Sequence, residues 1–182
     1  MTNEVTLKKK PKRREPREII EKVGDPELEE FWYKLPREEP VANSVNRDTH
    51  SVRPGRVPVN GKYMSIHTHP STYPHHKYPS ANDLITFMRK KDERTMVVAQ
   101  IHPLGERLRG YTILRKKRGF GHKESLTKKL FGEVISQKWD LFRMYFECPR
   151  IKMMSGDNCV EELFRTLEKY DIQYRYVPNK DY

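Results

Sequence analysis

Two histidines one residue apart, in the run His67-Thr68-His69-Pro70, are the side chains in this sequence best suited to chemistry. Soon after them comes Ser80-Ala81-Asn82-Asp83, which supplies a carboxylate. If the segment Lys62–His67 is a strand, residues at i and i+2 project from the same face, so both imidazoles point one way. Asp83 opens the next apolar run, Leu84-Ile85-Thr86-Phe87-Met88, which reads as a helix. Two His and one Asp make three protein ligands for a divalent metal. Three rather than four is the pattern of a catalytic zinc site, because the fourth position stays open for water. Zn2+ is therefore the expected cofactor. Ser80-x-x-Asp83 is also a variant of the capping box, with Pro79 before it, and that reading concerns helix initiation alone. The two readings are compatible, since a capped first turn holds Asp83 rigidly.

Taken in order, strand, H-x-H-P, loop, S-x-x-D and helix resemble the JAMM (MPN/JAB) metalloprotease family. The family signature is an upstream Glu, then H-[S/T]-H-P, a spacer, then S-x-x-D. Here residues 70–79 separate His69 from Ser80, a longer loop than the family's. The resemblance continues through "RTMVVAQIHPLGERLRGYTILRKK", read as strand, turn, strand, and upstream through "YKLPREEPVANSVNRDTH". It spans roughly Arg17 to Lys117.

The resemblance implies a single JAMM/MPN-like domain of α/β (α+β) class, with a mixed sheet flanked by helices and a cytidine-deaminase-like architecture. It implies that His67, His69 and Asp83 hold Zn2+, that a Glu moves the proton of the attacking water, and that Ser80 hydrogen-bonds the oxyanion. The implied reaction is hydrolysis of a peptide or isopeptide bond, including bonds after the C-terminal glycines of a ubiquitin-like protein. Family spacing for the Glu covers Glu15, Glu18 and Glu21. Glu18 is the first choice, because Pro16-Arg17-Glu18 matches the P-x-E entry to a strand. The sequence departs from the family in having Glu21 where a Gly is expected, and only a basic arm where a helix usually precedes. If residues 15–35 are helical, Glu38 or Glu39 becomes the candidate. With none correctly placed, the protein is an inactive, metal-binding member.

The elements that must position these groups follow from periodicity. Residues 17–35 fit a hairpin turning at Gly24-Asp25-Pro26, and fit two helices equally well, because Gly stops a helix and Asp-Pro starts one. The resemblance favours the hairpin. Strands are expected near 52–58, 62–67, 95–101 and 109–116, with a helix from Ser80. A long amphipathic helix is expected over 123–146, and a second over 158–170, with Asn158-x-x-Glu161 as its capping box. Residues 172–177 alternate like a final strand. His75 and His76 read as solvated loop residues and His102 as structural. Tyr73 and Tyr78 are candidates to shape a substrate groove.

A chain of 182 residues with formal charge +11 supports one domain and favours acidic partners. Residues 1–14 form a basic arm expected to be disordered, with 15–182 as the hydrolase domain. A second basic stretch runs from Arg107 to Lys129. The expected partner is a protein substrate, such as an acidic ubiquitin-like protein, with nucleic acid engaged through the arm. The alternative is a non-catalytic module that binds nucleic acid or an acidic protein through this surface. No stretch approaches a membrane span, and Cys148 and Cys159 are too few for a disulfide framework, so a cytoplasmic protein is expected. Large metal-dependent barrels also carry H-x-H on a strand, but they need further His and Asp ligands downstream. Only His102 and His122 follow the loop histidines here.

Overall fold

The computed structural model describes residues 16–23, 28, 30–47, 52–57, 61–102, 107–121, 128, 129, 132 and 155–179. Its elements run α1 (Pro16–Val23), β1 (Glu30–Lys34), β2 (Val41–Ala42), β3 (Ser44–Arg47), β4 (Val52–Pro54), β5 (Tyr63–Pro70), a 3-10 turn (Pro74–Lys77), α2 (Ala81–Arg89), β6 (Glu93–His102), β7 (Arg107–Lys116), α3 (Gly156–Glu168) and β8 (Ile172–Pro178). Six strands make one mixed sheet in the order β2-β1-β5-β6-β7-β8, and β3 pairs with β4 separately. β5 and β6 are parallel, with α2 as the crossover between them. The other pairs of the sheet are antiparallel. The fold is α+β.

Strand alternation sorts the sheet into two faces. On the front, Ser65, His67 and His69 of β5 align with Met96, Val98 and Gln100 of β6. These continue to Leu114, Thr112 and Gly110 of β7. The helices α2 and α3 cover this face: Leu84, Phe87 and Met88 from one, and Val160, Phe164 and Leu167 from the other, close on Met96, Val98 and Leu114. On the back, Ile66, Val97, Ala99 and Tyr111 pack against Ile19 and Ile20 of α1. Both clusters consist of side chains almost wholly withdrawn from water, the condition under which apolar area stabilises a fold most.

The segment expected as a hairpin is therefore helix then strand. α1 occupies residues 16–23, and the strand follows only at Glu30. A helix presents Ile19 and Ile20 to the back of the sheet, which a strand on the sheet's edge would not cover. The second helix also starts earlier than expected. Ser155 is its N-cap, accepting from the backbone N–H of Asn158, so Asn158 is the third residue of the first turn and not the cap. Both residue types cap well, and sequence alone does not rank them. Of the helix expected over 123–146, Lys128, Lys129 and Gly132 are helical, and the rest lies outside the described residues. So does the arm of residues 1–14. Cys159, at the buried start of α3, is disulfide-bonded, and Cys148 lies outside the described residues. No helix among the described residues is long and apolar enough to cross a membrane.

Candidate metal centre

β5 runs through both histidines, so His67 and His69 share the front face as the i, i+2 spacing requires. Asp83 arrives from the first turn of α2. Ser80 is the N-cap, and the capping box is complete in both directions. Ser80 Oγ accepts the Asp83 backbone N–H at 3.2 Å, while the Ser80 backbone N–H donates to Asp83 Oδ2 at 2.8 Å. The Ser80 hydroxyl donates to the same oxygen at 2.8 Å. One carboxylate thus caps the helix and faces the histidine pair. Helix initiation fixes its rotamer.

The three groups converge. One donor atom from each of His67, His69 and Asp83 lies within 4.8 Å of the others. His67 Nδ1 is 3.0 Å from Asp83 Oδ1, and His69 Nε2 is 4.0 Å from Asp83 Oδ2. These separations bracket the roughly 3.3 Å between donors that sit ~2.0–2.1 Å from a tetrahedral ion. His69 Nδ1 donates to the His76 carbonyl at 2.7 Å. A carbonyl only accepts, so a neutral His69 carries its proton on Nδ1 and presents the Nε2 lone pair toward Asp83. A backbone carbonyl on the far ring nitrogen is how metal-ligating histidines are usually oriented. The three groups could therefore hold a metal ion between them.

Burial alone would raise the Asp83 pKa. The charges of His67 and His69, with hydrogen bonds from His67 and Ser80, overcome that and hold the carboxyl well below the usual carboxylate range. Asp83 is thus ionised, as a ligand must be. The site is not sealed: the side chains of His67 and Asp83 keep 12% and 14% of their surface exposed.

The long loop between the ligands is held from below by residues the sequence did not single out. Gln100, buried on β6, donates to the carbonyls of Ser71 and Tyr73 at 2.9 and 2.7 Å. Thr112, buried on β7, donates to the carbonyl of Lys77 at 2.8 Å. Both lie in the front-face rows of His69 and His67. An irregular loop over a core leaves backbone carbonyls that need donors, and these two side chains supply them. The signal available in sequence was a Gln inside the apolar run Met96-Val97-Val98-Ala99-Gln100-Ile101.

The remaining candidates divide. Tyr73 is exposed, and its ring centroid lies 5.7 Å from that of His76. The His76 ring is in turn 5.9 Å from His69, so this loop histidine borders the site through both its ring and its carbonyl. Tyr78 shapes no groove: it is buried in the core and donates to Asp157 at 2.6 Å. His102 ends β6.

Glu18 lies on α1, beside Ile19 and Ile20, which pack on the back of the sheet. Its side chain is outside the described residues, as is all of Glu15. Glu21 lies on the same helix. Glu38 and Glu39 are exposed in the turn after β1. β1 borders the histidine strand, and its first residue, Glu30, pairs with Thr68, which puts it on the face opposite both histidines. No family model matches this chain, and neither a curated protein nor a solved structure does so.

Proposed function

We propose that this protein is a zinc-dependent hydrolase of the JAMM type, cleaving peptide or isopeptide bonds. The observation that supports it most is the convergence of His67, His69 and Asp83 at a site still open to water. When bound, zinc supplies Lewis acidity that makes a water nucleophilic near neutral pH. His69 is oriented for this by the His76 carbonyl, and Asp83 by Ser80. The Ser80 hydroxyl, rotated off Asp83, is the donor for the oxyanion that develops at a scissile carbonyl. The proton passes through a carboxylate to the leaving amine. Glu18 on α1 is the candidate for this role, with Glu38 and Glu39 in the turn after β1 as the alternatives. The substrate class is a protein ending in flexible glycines, such as an acidic ubiquitin-like protein, whose charge suits a +11 chain.

Elemental analysis tests the ligands. His67→Ala should lose zinc while keeping its circular-dichroism spectrum, and full occupancy in that variant overturns the assignment. Glu18→Gln should retain zinc and lose turnover of a Gly-Gly-Lys isopeptide. Loss in Glu38→Gln or Glu39→Gln instead would move the role to the turn after β1.

A further inference from the structure

Among the described residues, the back of the sheet is only partly covered. Three rows cross β6, β7 and β8 on this face. The row Ala99–Tyr111–Val177 lies under α1. The next is Val97–Ile113–Arg175, and the last is Thr95–Arg115–Gln173. In the last two rows Arg115, Gln173 and Arg175 are exposed and Thr95 is half-buried. No carboxylate stands in either row. Arg115 and Arg175 occupy diagonal positions on neighbouring antiparallel strands, within about 8 Å of each other at their backbones. The Thr95 row continues across β5 to Lys34 on β1, which adds a cation at its far end.

Like charges placed this close repel unless something neutralises them. Helix α1 lies on this same face and packs against β7. The sequence leading into it carries Lys8, Lys9, Lys10, Lys12, Arg13 and Arg14. The two arginines belong to one side of the sheet, and the histidine pair to the other.

We infer that this back face is a nucleic-acid-binding surface that engages the phosphate backbone without reading sequence. A protein partner would require a desolvated apolar anchor at the centre of the patch. The exposed positions here are two arginines and a glutamine, with no exposed large apolar side chain among them. Phosphate binding needs cations and polar donors on a surface an extended polyanion can lie across, and these rows supply both. The surface is separate from the metal centre and does not depend on its chemistry.

The test uses the full chain, short random-sequence DNA and RNA duplexes, and fluorescence anisotropy over a salt series. Arg115→Glu/Arg175→Glu should weaken binding at least tenfold. Arg115→Gln/Arg175→Gln should lower the slope of log K against log[salt] by about 2, near 0.9 for each phosphate that is no longer neutralised. Zinc content should be unchanged in both. Arg165→Glu, exposed on α3 over the opposite face, is the control and should bind as wild type does. Wild-type affinity and slope in the Gln variant would overturn the inference. So would equal weakening by Arg165→Glu, which would mean that net charge alone drives binding. Binding confined to an acidic ubiquitin-like protein or to anionic vesicles, with no affinity for either duplex, would overturn it as well.

Discussion

The front face of the sheet carries two polar clusters built from similar parts, and they behave oppositely. At one end, His67, His69 and Asp83 converge beside solvent. At the other, Ser65, Glu93 and Lys116 are sealed, with 0%, 1% and 4% of their surfaces exposed. Ser65 donates to Glu93 Oε1, and the Lys116 ammonium donates to the carbonyls of Phe87 and Lys90 at the end of α2. Burial pushes the Glu93 carboxyl up, and its Oε2 has no hydrogen-bond partner among the described residues. Asp83 shifts the other way because two imidazoles and a serine face it. Each cluster grips an end of α2. In the open one three possible ligands converge beside solvent, whereas the sealed one uses its polar atoms to finish a helix and bridge strands. Buried polarity marks a functional site only where donors converge and water can enter.

The largest expected difference between the clusters is in metal affinity. Asp83→Ala removes a ligand and a helix cap together. It should abolish stoichiometric zinc binding and also lower stability by about 1–2 kcal/mol, from loss of the cap. Glu93→Gln should keep full zinc. Elemental analysis and urea titration of both variants read the two effects, and zinc loss in Glu93→Gln would merge the clusters into one site.

Lys116→Met sharpens the comparison through pH. Burial lowers the Lys116 pKa from 10.5 to about 8, so between those values the unfolded chain holds a proton the folded chain has released. Stability from this group accordingly rises as pH climbs through that window and is lost as pH falls through the lower value. The Met variant should lack the rise, and should be less stable by about 1–3 kcal/mol because two carbonyls lose their donor. Urea midpoints measured from pH 8 to 10 test the sign.

Ser80→Ala should have the smallest effect. The helix loses a cap worth about 1 kcal/mol, and Asp83 loses the hydroxyl that orients it. Zinc affinity should fall about tenfold, the low end for removing a group that orients a ligand, with stoichiometry intact. Calorimetric zinc titration measures it.

The open cluster was legible in the sequence, because its geometry comes from local rules. Alternation put His67 and His69 on one face, and the spacing from Ser80 to Asp83 fixed a capped turn. β5 to β8 and α2 were legible for the same reason. The sealed cluster was not: Glu93 and Lys116 look like ordinary charges at strand ends, and only packing by α2 removes them from water. Gln100 and Thr112 were equally hidden, since their partners are carbonyls of a loop distant in sequence. The start of the chain misled because Gly24-Asp25-Pro26 punctuates a hairpin as well as a helix end. The choice between them was made by the back of the sheet, where Ile19 and Ile20 are needed.

The capping box on α2 also affects how the site would age. Ser80 and Asp83 stabilise the start of the helix whether or not a metal is ever bound. Descendants that lost the metal site would still be favoured to keep both, because losing the cap costs about 1 kcal/mol of stability. The histidines have no such second employment in helix initiation. Across any lineage of this protein, drift at position 67 or 69 with position 83 unchanged would therefore mark a lost metal site.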